Sequence, residues 1–391
     1  LYHIKKKNWS GRLKPLIIEQ SAAMIKKLNI LVVFGGKSAE HEISVLSARS
    51  VAAALSPEKY NVFLAGISRN GRWVIGSQAK SALDKGVVED SEEGEATIRP
   101  GYQGRSVAEY KNNSHELSEL NFDVIFPVLH GTFGEDGTIQ GLFEMADIPY
   151  VGDGVLASAI GMDKAVIKDV WAHNGLPVLP SVTLLRSAIE TNLDKCVEKA
   201  LKKPGLPCFV KPSNAGSSVG ISKAETEEEL RQSLVLAAKF DRKVLVEAAC
   251  QAPREIEIGV IGNDVPECSV PGEITYSSKF YDYSTKYKND GSPQLLIPAP
   301  LPSETVMEIK RLAKKAWTAA DLNGLARIDF LMDPQGHIWL NEVNTLPGFT
   351  QFSMFSKLWE ASGVEYSALL ERLIDLAIER YNDKKRTLFK P

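Results

Sequence analysis

The apolar positions of this chain change their spacing along its length. Asn29-Ile30-Leu31-Val32-Val33-Phe34 is a continuous apolar run ending on Gly35-Gly36, and Ile43, Leu46, Val51 and Leu55 then recur at helical spacing within Glu42 to Leu55. That pattern predicts a strand, a glycine turn and a helix. Val62 to Ile67 and Val124 to Leu129 predict further buried strands, so this region reads as a mainly parallel sheet flanked by helices. Asp84 to Gly104 is acidic and aperiodic, which predicts a solvated loop or edge excursion. Beyond it, a helix is expected over Met162 to Asn174, with strands at Ser181 to Leu185, Pro207 to Pro212 and Lys243 to Glu247. Glu255 to Ile261 alternates as a strand should, and Ser303 is placed to cap a helix with the apolar face Ile309, Leu312, Ala313, Ala316 and Trp317. Leu369, Leu370, Leu373, Ile374 and Ala377 mark a closing amphipathic helix.

The most informative pattern is a polar face at period two. Ala326 to Phe330 and Leu340 to Thr345 flank Asp333-Pro334-Gln335-Gly336, a sequence suited to a type I turn between antiparallel strands. A two- or four-residue loop would place Arg327, Asp329, Glu342 and Asn344 on one face and Ile328, Phe330, Met332, Trp339 and Val343 on the other. The polar face gathers hard oxygen ligands of the kind Mg²⁺ uses, with a permanent cation beside them. A plain salt bridge between Arg327 and Glu342 is the competing explanation.

Composition restricts the classes open to the chain. Its 391 residues are 44% hydrophobic and 24% charged, enough for two or three domains with separate cores. A formal charge of −3 argues against a mainly electrostatic nucleic-acid binder, and no apolar run reaches the length of about 18 residues that spans a membrane. Cys196, Cys208, Cys250 and Cys268 are dispersed without a CxxC pair, which suits a reducing compartment, the cytoplasm by default. The basic stretch at residues 1–28 reads as an extension outside the fold.

Three other segments carry candidate chemistry. Lys211 to Gly220 is no P-loop, because its lysine precedes the glycines, but small residues after a strand-ending lysine can cradle an anion or form only a flexible turn. His130-Gly131 and Glu135-Asp136-Gly137 follow a strand of the first sheet, where ligands bind, although a capped glycine turn would look the same. Gly35-Gly36-Lys37 lacks the third spaced glycine of a dinucleotide fingerprint. Lys279 to Lys288 mixes aromatics and lysines, as a covering loop or a self-packed surface excursion would.

Together these motifs resemble the D-alanine–D-alanine ligases of the ATP-grasp superfamily, from about Asn29 to the closing helix. Val33 to Ser44, His130 to Gly137, Lys211 to Gly220, Phe280 to Tyr287 and Glu342 to Thr350 occur in that family's order and approximate spacing. The resemblance implies an α/β (α+β) class in three domains, residues 29–152, 153–247 and 248–391, with ATP between the last two. In the family, ATP phosphorylates the carboxylate of one D-alanine and the amine of a second attacks the acyl phosphate. Carried over by motif, Asp329, Glu342 and Asn344 would hold two Mg²⁺ or Mn²⁺ ions. Lys164, Lys211, Ser218 and Lys286 would serve the nucleotide phosphates, and Glu247 and Glu255 adenine and ribose. Glu40 would hold the first ammonium with His130 nearby, and Ser353 and Met354 the second carboxylate. Arg327 and the N–H of Gly348 would stabilise the oxyanion, worth about 3 to 4 kcal/mol per donor. Ser217 and Tyr287 would link to Glu40 and close the site, and tyrosine there favours an amine over D-lactate. A homodimer making peptidoglycan precursors is expected. A D-serine or D-lactate ligase, or a non-catalytic nucleotide-binding module, are the alternatives.

Overall fold

The computed structural model describes residues 26–90, 95–98, 106–110, 117–216, 218–275 and 294–388. Its first sheet takes β1 (Leu28–Gly35), β2 (Tyr60–Ile67) and β3 (Trp73–Ile75), while β4 (Glu95–Ile98), β5 (Ser106–Tyr110) and β6 (Leu117–Asn121) form a small sheet of their own. β7 (Val124–Val128) completes the first sheet in the order β3-β2-β1-β7. Ile30 pairs in parallel with both Val62 and Val124, so only β3 runs against its neighbour. The expected loop at Asp84 to Gly104 is thus partly structured. Ala96 and Ile98 are buried there, but four residues are too few to show a period.

β8 (Ser181–Leu185), β9 (Cys208–Pro212), β10 (Ser222–Ala224) and β11 (Lys243–Ala248) make an antiparallel sheet ordered β10-β9-β11-β8. The helices Leu193–Lys202 and Glu227–Phe240 share its core. A capping box starts the second helix, where Glu229 N–H donates to Thr226 Oγ1 at 3.2 Å. β12 (Arg254–Gly262), β13 (Glu267–Thr275), β14 (Gln294–Leu296), β15 (Gly324–Met332) and β16 (Ile338–Asn344) form the last sheet, ordered β14-β13-β12-β15-β16. β12 is buried continuously from Ile256 to Gly262, so the expected alternation of exposure disappears where both faces are covered.

Two helix boundaries differ from expectation. The helix predicted over Met162 to Asn174 runs from Lys164 to His173, because Asp163 caps it by accepting from Val166 N–H at 3.2 Å, and a separate helix, Val155–Met162, precedes it unpredicted. Ala157, Ile167 and Trp171 of this pair pack into the core of the last sheet. For Ser303–Ala319 the cap is Pro302, whose carbonyl accepts from Val306 N–H at 3.0 Å, so Ser303 is already helical.

The chain closes on its beginning. Phe355 and Trp359 of the helix Met354–Ala361, with Leu369, Leu370 and Leu373 of Tyr366–Lys384, belong to the same core as β1 and β7. Arg380 seals the junction by donating to Gly152 O and, at 3.0 Å, to Tyr150 O, its guanidinium 4.4 Å above the Tyr150 ring. Among the described residues no helix is long and apolar enough to cross a membrane.

Candidate active site

The polar face of β15 and β16 exists, but a bulge makes it. Met332 pairs with Ile338 across the five residues Asp333 to His337, within which Gly336 N–H donates to Asp333 O at 3.0 Å. Continued without interruption, that odd loop would set Glu342 opposite Ile328, on the apolar face. The register instead shifts between Asp329 and Phe330, so Asp329 faces Glu342 and Arg327 faces Asn344. The shift also corrects one assignment: Trp339 pairs with Leu331 on the polar side, and Leu340, fully buried, takes the apolar position opposite Phe330.

On this face Arg327 is held by carboxylates on two strands. It grips Asp329 through Nε and Nη2, each at 2.8 Å, and its Nε lies 2.9 Å from Glu257 Oε2 of β12. Burial opposes its charge, but Asp329 and Glu257 outweigh that and raise its pKa further. Asn344 Nδ2 donates to Asp329 Oδ2 at 3.0 Å, leaving its carbonyl oxygen for another partner. Two carboxylates and an amide oxygen on facing strands form a hard donor set that fits a divalent cation completed by phosphate oxygens. Lys164 lies 3.7 Å from Glu342 Oε2, linking this face to the start of the helix Lys164–His173.

The central sheet supplies cations and the loop Ser213 to Gly220. Lys164 Nζ donates to Ala215 O at 2.9 Å and Ala165 N–H to Ser213 Oγ at 3.1 Å, pinning the loop to a helix start. Gly220 has a φ of +73°, and a Cβ there would lie 2.5 Å from Phe240, so the loop packs against the helix without a side chain. Lys211, the strand-ending lysine, meets Glu247 at 2.7 Å. Glu255 lies on β12 opposite Leu331.

The third wall is the carboxyl end of the parallel sheet. His130, buried, has Nδ1 3.1 Å from Leu346 O and Nε2 3.3 Å from Ser47 Oγ. Its burial lowers the pKa despite Glu40, which favours the neutral ring. Gly131, at a φ of +75°, turns the chain so tightly that a Cβ would lie 3.1 Å from Glu40 Oε2 and one on Gly216 3.3 Å from the same atom. Glu135 accepts from Gly131 N–H at 2.7 Å, and burial followed by Glu40 pushes its pKa up to about 8. Nearby, Ser353 Oγ accepts from Thr350 N–H at 3.1 Å just before the helix opening at Met354, and a Cβ on Gly348 would stand 3.4 Å from that oxygen.

Known proteins decide the family. The D-ala D-ala ligase N-terminus family matches residues 29–153 and the D-ala D-ala ligase C-terminus family residues 170–375. A D-alanine–D-alanine ligase of Thermoanaerobacter sp. strain X514 is 48% identical over 366 residues, 93% of this chain and 99% of that protein. One from Staphylococcus epidermidis is 45% identical over 370 residues, again covering 93% and 99%. The chain belongs to the D-alanine–D-alanine ligase family. Among solved structures, the D-alanine–D-alanine ligase of Coxiella burnetii matches at a TM-score of 0.77 and 32% identity, covering 92% of this chain and 96% of that one. The VanG D-Ala:D-Ser ligase of Enterococcus faecalis matches at 0.80 and 34%, covering 90% and 100%.

Of the candidates, Glu40 stands beside Gly131 and Gly216, Lys164 beside Glu342, Lys211 beside Glu247, His130 beside Leu346, and Arg327 and Asn344 on Asp329; Gly348 adjoins Ser353 just ahead of Met354, and Ser218 lies in the loop Ser213 to Gly220. Ser217, Lys286 and Tyr287 lie outside the described residues. Sequence reasoning passed over Glu257 and Lys168. Alternation along Glu255-Ile256-Glu257 could have placed Glu257 beside Arg327, and the four-residue spacing from Lys164 puts Lys168 on the same helix face. His41 is structural: Nδ1 lies 2.8 Å from Gly36 O, and Nε2 accepts from Val88 N–H at 3.0 Å.

Proposed function

We propose that this cleft joins two D-alanines, using ATP, through a D-alanyl phosphate. The carrying observation is Arg327: a partly buried permanent cation paired to Asp329, on the face of the candidate metal ligands. Nucleotide binding alone does not need it, whereas a tetrahedral intermediate carries an oxyanion beside the transferred phosphate. Lys164, Lys211, Ser218 and Lys286 would meet the phosphates, and Glu247 and Glu255 adenine and ribose. Two Mg²⁺ or Mn²⁺ ions on Asp329, Glu342 and Asn344 would neutralise phosphate charge.

Glu40 would hold the first ammonium beside neutral His130, and Ser353 with Met354, at a helix N-terminus, the second carboxylate. The N–H of Gly348 would join Arg327 at the oxyanion, with Ser217 and Tyr287 closing over Glu40. A cytoplasmic homodimer supplying peptidoglycan precursors completes the reading. The test is phosphate release from ATP with D-alanine, L-alanine, or D-alanine plus D-serine. Release with D-alanine alone and a D-alanyl-D-alanine product are expected. Equal release with L-alanine would sink the stereochemical assignment, and a mainly D-alanyl-D-serine product would move the chain to the activity named for its Enterococcus neighbour.

A further inference from the structure

Glu247 is 1% exposed, yet it faces two ammonium groups. Lys211 of β9 stands 2.7 Å from Oε2, and Lys168 of the helix Lys164–His173 is ion-paired to Oε1. One cation neutralises a carboxylate, so the second is surplus. The two also differ in freedom. The Lys168 side chain is 2% exposed between buried Ile167 and Trp171, and its ammonium also donates to Leu340 O of β16 at 3.4 Å. The Lys211 side chain is 12% exposed at a strand end, its ammonium 5.8 Å from the Phe209 ring centre. Burial works against the charge on Glu247, and Lys168 and then Lys211 outweigh it to hold the carboxyl below its ordinary pKa.

We propose that Lys168 is a positioning residue: it stays on Glu247 as a permanent counter-ion, so that Lys211 can move from Glu247 to an incoming nucleotide phosphate without stranding a buried carboxylate. This rests on reading Lys211 as a nucleotide-phosphate ligand. A buried carboxylate left alone is costly enough to hold its last cation in place, so one lysine could not do both jobs. Lys168 also spans a seam. Leu340 lies two residues before Glu342, so one ammonium joins the carboxylate beneath the nucleotide lysine to the strand of the candidate metal ligands.

The experiment is a double-mutant cycle on ATP affinity, read by direct binding and by KM with kcat measured separately. Lys168→Met should weaken ATP at least ~10-fold, because Lys211 is then retained by Glu247. In the Glu247→Gln background the same change should have less than about a twofold effect, since no charge remains to retain Lys211. Lys168→Gln keeps a hydrogen-bond donor in place while removing the charge, and should reproduce the loss if Lys168→Met does not fold. Equal losses in both backgrounds, or a lower Tm with ATP affinity intact, would overturn the inference and leave Lys168 purely structural. Lys211→Ala separates the two layers: unchanged ATP affinity there removes the reading of Lys211 itself, whereas a loss there with no effect at Lys168 removes only the positioning role.

Discussion

On β15 the guanidinium of Arg327 meets Asp329 and Glu257 at 2.8 and 2.9 Å, whereas across the cleft His130 and Glu135 meet uncharged groups, Leu346 O and Ser47 Oγ for the one and Gly131 N–H for the other, and are governed by burial. The first region keeps its charges by pairing them, and Asp329 and Glu257 raise the pKa of Arg327 against its burial. The second suppresses charge: burial lowers His130 and raises Glu135 to about 8. Strand register fixes the paired groups, while glycine turns at strand ends fix the others. Such a division would suit the proposed chemistry, because a developing oxyanion wants a cation that never titrates, and a zwitterionic substrate held as proposed by Glu40 wants one clear counter-charge.

The contrast breaks most visibly at Arg327. Arg327→Ala should cut turnover about 100-fold or more while ATP affinity stays nearly intact, because the lost cation is proposed to serve the transition state. Steady-state phosphate release and direct nucleotide binding decide it. Turnover equal to the unaltered protein would mean the paired face is only a structural ion cluster.

These two regions were also unequally legible from the sequence. The polar face of β15 and β16 showed because period-two spacing survives in any strand, yet the reason it exists did not. A five-residue loop and a compensating bulge are two departures that cancel, so the right face followed from the wrong loop, and Trp339 was misplaced. Strands β1, β2, β7, β8, β9, β11, β12, β15 and β16 were visible as apolar or alternating runs, but β3 to β6, β10, β13 and β14 were not, and Asp163 starts the expected helix at Lys164 by capping it. In the crevice, the glycine-rich block after β7 was visible, but the protonation of Glu135 depends on burial that no local pattern reports.

Gly131→Ala tests the glycine half. At a φ of +75° alanine should cost about 1 to 2 kcal/mol of stability. Its Cβ would also crowd Glu40 Oε2 from 3.1 Å. The expected outcome is a KM for D-alanine raised about 10-fold with ATP affinity little changed. A loss shared equally between ATP and D-alanine would show that the turn supports the whole cleft rather than Glu40.

The smallest effect is the sharpest test of charge suppression. Glu135 has a native pKa of about 8 against an ordinary 4.5, so the folded state holds its proton more tightly than the unfolded chain. Its contribution to stability is therefore fully present below pH 4.5 and is lost as pH rises through about 8. Glu135→Gln keeps a carbonyl to accept from Gly131 N–H but cannot titrate, so its thermal stability should fall less between those limits, diverging by a few degrees on the order expected for one group. Melting curves from pH 4 to 9 measure the difference between the two proteins. Parallel curves would place the Glu135 carboxylate among the paired charges after all, and the crevice would then manage charge as β15 does.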